Sequence, residues 1–156
     1  MWSISDSGQL KSAVDSWPNV TVKNAAEYVK RSKAAGADYI KLFQENCCSF
    51  AVPPGSVAAA TLELQTAVTK AAHDEGLLVV AHANSVEATE VVLKAGVDGL
   101  THAFIDQAPP QAIVDLYKKT GAFVIPTLTV LASLTAQYQD LREKFATIAS
   151  QKGLVD

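Results

Sequence analysis

The chain of 156 residues is short of several things, and each shortage closes off a class of protein. Its only cysteines are the adjacent Cys47 and Cys48. That pair provides no disulfide framework, and a bridge between neighbours would be strained, so two free thiols and a reducing, cytoplasmic compartment are expected. No apolar run approaches the ~20 residues that span a bilayer, and Met1 to Gly8 has neither the basic stretch nor the apolar core of a secretory signal. Charge of one sign is also lacking. The net charge is −3 and acidic and basic residues are interspersed, which argues against a nucleic-acid or anionic-membrane partner and for a small-molecule one.

What is present is apolar sequence in a repeating order. Hydrophobic residues make up 49% of the chain, enough for one ordinary domain over 1–156, with 1–20 as an irregular leading segment turned at Pro18 and Asn19. A helix-like stretch ending in glycine, then a short β-rich run ending in a polar group, recurs at Gly36 to Lys41, Gly76 to His82, Gly96 to His102 and Gly121 to Thr127. Each glycine sits where a helix C-cap wants positive φ. The helices are expected over 21–35 (N-cap Thr21 or Asn24), 59–74, 86–95 (N-cap Ser85) and 111–120, followed by a charged helical pattern over 131–151. Strands are expected over 37–43, 77–82, 97–102 and 122–127, with Pro126 at a strand end.

Helices alternating with short strands imply parallel βα units with right-handed crossovers. Four units are either a small doubly wound sheet or part of a (β/α)8 barrel; they are too few to close a barrel alone. In both cases the polar strand endings Lys41, His82, His102 and Thr127 converge on one rim, where α/β proteins place their chemistry. The loop 44–58, with Pro53, Pro54 and Gly55, is a candidate lid.

Lys41 needs a reason, because an ammonium among apolar neighbours is expensive to hide unpaired. By alternation it shares a strand face with Tyr39 and Phe43. Three readings stand: an ion pair with a neighbour such as Glu45, an amine of lowered pKa acting as base or nucleophile, or a lysine carbamylated by carbon dioxide whose new carboxylate binds metal. His82 and His102, on successive strand ends beside it, make two of the four donors of a Zn²⁺ or Mn²⁺ shell. His73, in the last turn of its helix, is read as a solvated residue favourably placed near the helix C-terminus.

The segments Gly36-Ala-Asp-Tyr-Ile-Lys-Leu, Val79-Val-Ala-His-Ala-Asn, Ala95-Gly-Val-Asp-Gly-Leu-Thr-His-Ala-Phe and Gly121-Ala-Phe-Val-Ile-Pro-Thr-Leu-Thr resemble, in that order, the amidohydrolase superfamily, nearest its imidazolonepropionase-like and prolidase-like branch. The likeness runs from about Trp17 to Leu134. It implies an α/β fold, a partial (β/α)8 TIM-type barrel corresponding to strands four to seven, and a divalent metal centre, Zn or Mn, that activates water to hydrolyse amide, lactam or related C–N and C–O bonds. It also implies roles. Lys41 matches the strand-four lysine that is carbamylated, His82 and His102 match the metal histidines of strands five and six, and Thr127 falls on the strand-seven end that shapes the pocket. Phe43, Glu45 and Phe104, with Phe50, are the candidate substrate contacts and suit a hydrophobic or aromatic substrate.

The family's strand-one His-x-His pair has no counterpart in a chain with three histidines, and its strand-eight aspartate would fall past Asp156. A homo-oligomer or a complementing chain is therefore expected to complete the barrel. The alternatives are a metal-free isomerase, cyclase or lyase using His82 and His102 as acid and base, and a non-catalytic protein on the same scaffold.

Overall fold

The structure is a computed structural model, and it describes residues 20–45, 59–134 and 139–153. The leading segment 1–19, the thiols Cys47 and Cys48, Phe50 with most of the candidate lid, and Asp156 lie outside the described residues. The chain groups into two units, Met1–Pro126 and Thr127–Asp156.

The first unit is built from the repeating helix–glycine–strand pattern. Helix α1 spans Ala25–Ala34, strand β1 Tyr39–Phe43, α2 Leu62–Asp74, β2 Leu78–His82, α3 Val86–Lys94, β3 Gly99–Thr101, α4 Gln111–Thr120 and β4 Phe123–Ile125. Local chemistry accounts for the ends. Thr61 and Ser85 accept from the backbone N–H of Leu64 and Ala88, each satisfying an otherwise orphaned amide at a helix start. Asn24 precedes α1 but its Oδ1 accepts from Thr21 N–H, so it closes a turn instead of capping the helix. Gly36, Gly76, Gly96 and Gly121 all take positive φ, between 71° and 91°, as a left-handed helix stop requires.

The strands form one parallel sheet in the order β1-β2-β3-β4. Sequential order with helical crossovers is the topology of a barrel, not of a doubly wound sheet whose order reverses. Among the described residues the sheet does not close, so it is a partial (β/α)8 barrel. Its two faces differ as alternation dictates. Ile40, Leu42, Val79, Ala81 and Leu100 point to the helix side and join Val29, Val68, Ala72, Val92 and Leu93 in the core. The opposite face carries Tyr39, Lys41, Phe43, Leu78, Val80, His82, Gly99, Thr101, Phe123 and Ile125, and of these Tyr39, Lys41, Leu78, Phe123 and Ile125 are exposed, so the lysine is less hidden than its apolar sequence neighbours suggest. The Phe123 ring lies directly over Gly99, in the space a Cβ there would need.

Asp98 ties the strand starts together at the rim opposite His82 and His102. Its carboxylate accepts from Val79 N–H at 2.7 Å and lies 2.9 Å from His73 Nε2, while its backbone bonds Val79 and Phe123. His73 lies in the last turn of its helix with an exposed side chain, as expected, and meets the Asp98 carboxylate.

The second unit holds α5, Leu128–Leu134, and α6, Gln139–Gln151. No helix among the described residues is long and apolar enough to cross a membrane.

Candidate active site

Parallel pairing brings Phe43, His82 and Thr101 into one row, since Phe43 is the register partner of His82 and His82 of Thr101. One step down the same face, Lys41 pairs with Val80. The row is the carboxyl rim of the sheet.

Lys41 reaches across β2 and its Nζ donates to Thr101 Oγ1 at 2.6 Å. Loss of water around the amine holds its pKa below the ordinary lysine value. Glu45, one partner considered for Lys41, pairs with His82. Its Oε2 lies 3.0 Å from His82 Nε2, and both side chains are nearly buried, at 9% and 12% exposed. His82 is held in plane by Phe43, whose ring stacks on it at 4.4 Å and 8°.

His102 lies one residue past β3 rather than on it. Strand alternation after Thr101 would send its side chain to the helix side. Its backbone instead adopts φ 78°, a left-handed conformation uncommon for a residue other than glycine, with its N–H held by Ile125 O at 2.9 Å. The ring comes to face His82 edge-on, with centroids 5.0 Å apart. Backbone strain of this kind gathers at functional sites, where the surrounding structure enforces it. Burial first, then the nearby His82 and Lys41, lower the His102 pKa, with Glu45 opposing. The neutral imidazole, the form that ligates metal and accepts protons, is thereby favoured.

The β1 end is braced from below. Gln44 and Gln65 are buried, and Gln65 Nε2 donates to Gln44 Oε1 at 2.7 Å, while Gln44 N–H donates to His82 O at 3.0 Å. Asn84, just past β2, brings its amide nitrogen to 3.3 Å from His82 Nε2.

Of the residues singled out from sequence, Lys41, Phe43, Glu45, His82 and His102 meet on this rim. Phe104 is half-buried in the loop after β3, whose Ile105 N–H bonds Asn84 O. Thr127 opens the second unit with φ 48°, and its carbonyl accepts from Val130 and Leu131. Thr101, Asn84, Gln44 and Gln65 were not anticipated. Thr101 directly precedes His102 and Asn84 lies two residues past His82, but which strands are neighbours, and in what register, is not written in one sequence. Among the described residues no group of three or more His, Cys, Asp and Glu side chains is gathered as a metal cage.

No protein-family model matches the chain, and no curated protein matches it. Solved structures resemble it. An amidohydrolase is 27% identical with a TM-score of 0.59, over 76% of this chain and 29% of that one. A prolidase complexed with N-methylphosphonate-L-proline is 25% identical with a TM-score of 0.58, over 70% of this chain and 26% of that one. The A. niger ochratoxinase shares the fold at 19% identity and a TM-score of 0.63, over 84% of this chain and 29% of that one. The chain spans less than a third of the length of each. Its parallel sheet is thus a partial (β/α)8 barrel, and the chain is similar to amidohydrolase-superfamily structures.

Proposed function

We propose that this chain supplies one side of the active site of a metal-dependent hydrolase that cleaves amide, lactam or related C–N and C–O bonds of a small molecule. The observation that carries the reading is the facing pair His82 and His102, with ring centroids 5.0 Å apart, on the same rim as Lys41. The donor chemistry suits a divalent ion such as Zn²⁺ or Mn²⁺. His82 and His102 would hold it as neutral imidazoles, and Lys41 as the third donor once carbamylated; burial favours its uncharged amine, the form that adds carbon dioxide. Such an ion supplies Lewis acidity and lowers the pKa of bound water.

The remaining roles belong to the chain's own side chains. Phe43 covers one face of His82 and excludes water from it. Thr101 holds the Lys41 amine. Glu45, Phe43 and Phe104 are proposed to contact substrate. The two outer strands have one sheet neighbour each among the described residues, and further strands, from a second copy or a complementing chain, would complete the barrel. The similarity to an amidohydrolase and a prolidase at 27% and 25% identity supports the hydrolytic class.

The test is elemental analysis of the chain purified without chelator and then reconstituted with Zn²⁺ or Mn²⁺ in bicarbonate. The reading expects a stoichiometric ion that His82→Ala or His102→Ala abolishes. No bound ion after reconstitution overturns it. The Glu45–His82 contact favours a second reading, a metal-free isomerase, cyclase or lyase with the histidines as acid and base, whose ligand binding would survive chelation.

A further inference from the structure

Glu45 brings a carboxylate to the rim, and the metal-site reading gives it no part in holding the ion. Its placement is over-determined. The residue is buried, follows directly on a Gln44 clasped by Gln65, and aims Oε2 at His82 Nε2 from 3.0 Å. Phe43 stacks on one face of the ring it meets, and Gln44 N–H fixes the His82 backbone through its carbonyl.

A carboxylate only accepts, so the nitrogen it meets carries the proton, and a neutral imidazole has just one N–H. Asn84 competes for the same nitrogen with an amide group at 3.3 Å. A charge-assisted bond at 3.0 Å is roughly twice as strong as a neutral one, so it decides the tautomer. The side-chain oxygen of Asn84 is buried and meets no hydrogen-bond partner among the described residues, and turning the amide over would offer that oxygen to Nε2–H instead.

We infer that Glu45 is the positioning residue of His82: it fixes the Nε2–H tautomer and so makes Nδ1 the nitrogen that His82 offers to the site. Carboxylate partners commonly orient metal-bound imidazoles in this way. The inference rests on His82 being a site residue, but its test needs neither metal nor turnover.

The experiment is long-range ¹H–¹⁵N correlation of the metal-free chain at about pH 8.5, well above the ordinary imidazole value. With three histidines in the chain, the His82 signals are assigned by their loss in His82→Gln. His82 is expected as a single Nε2–H tautomer in the wild type and in Glu45→Gln, whose amide oxygen still accepts. A mixture of the two tautomers is expected in Glu45→Ala. Protonation at Nδ1 in the wild type, or an unchanged tautomer in Glu45→Ala, overturns the assignment. A chain that shows the expected tautomers yet binds no metal would retain this inference and lose the hydrolase reading.

Discussion

Removing the Asp98 carboxylate should cost more stability than its partly exposed position suggests. Its oxygen accepts from the backbone N–H of Val79, a residue with no exposed surface, and also meets His73. In Asp98→Ala the Val79 amide is left buried without its acceptor, a loss of about 1–3 kcal/mol. Asp98→Asn can still accept from Val79 through its amide oxygen, so it should lose about half as much. His73→Ala removes a pair whose side chains are 42% and 29% exposed, which is worth only ~0.2–1 kcal/mol. At this chain length each kcal/mol moves the melting midpoint by about 2–4 °C. Urea and thermal unfolding of the three variants should therefore rank Asp98→Ala below Asp98→Asn, and Asp98→Asn at or below His73→Ala. Equal midpoints for Asp98→Ala and His73→Ala would refute the reasoning, because they would mean that the buried amide finds another acceptor and that the strand starts are not held by this side chain.

Two further outcomes follow from the core and the rim. Leu93→Ala truncates a side chain 1% exposed on the helix facing the sheet and should cost about 2–5 kcal/mol in urea unfolding; a loss under 1 kcal/mol would show that the site collapses to fill the cavity. His102 has a folded pKa below its unfolded value, so between the two the unfolded chain binds the extra proton. Stability is then full above about pH 6.5 and falls as pH drops from there through the lower folded value. In His102→Asn, which tolerates the left-handed backbone, the acid limb of the stability curve should flatten; curves of the same slope below pH 6.5 would contradict the burial argument.

Legibility differed sharply between the sheet and the site. The glycine stops were readable because a left-handed C-cap is a single-residue requirement, and all four glycines meet it. The strand faces were readable because alternation is local, which is why Lys41, Tyr39 and Phe43 were placed together correctly. The β3 strand and the last strand were expected to end in their polar residues, but β3 stops at Thr101 and β4 at Ile125. Polar chemistry marks a strand end without specifying the last residue in the ladder.

The partnerships at the rim were illegible for a different reason. Lys41 lies 60 residues from Thr101, and Glu45 37 residues from His82; which of these meet depends on register across the sheet. Glu45, four residues past Lys41 in sequence, is one ionic partner that proximity suggests for it. On a strand four residues span roughly 13 Å, and Glu45 lies beyond the strand, whereas Phe43 and His82 are direct cross-strand neighbours. The carboxylate therefore falls to the histidine. His102 shows the converse case, since alternation from Thr101 would send its ring to the helix side and the left-handed φ returns it to the rim. Ile125 O holds the His102 amide in that backbone conformation, so the facing histidine pair depends on the β3–β4 register as well as on the imidazoles.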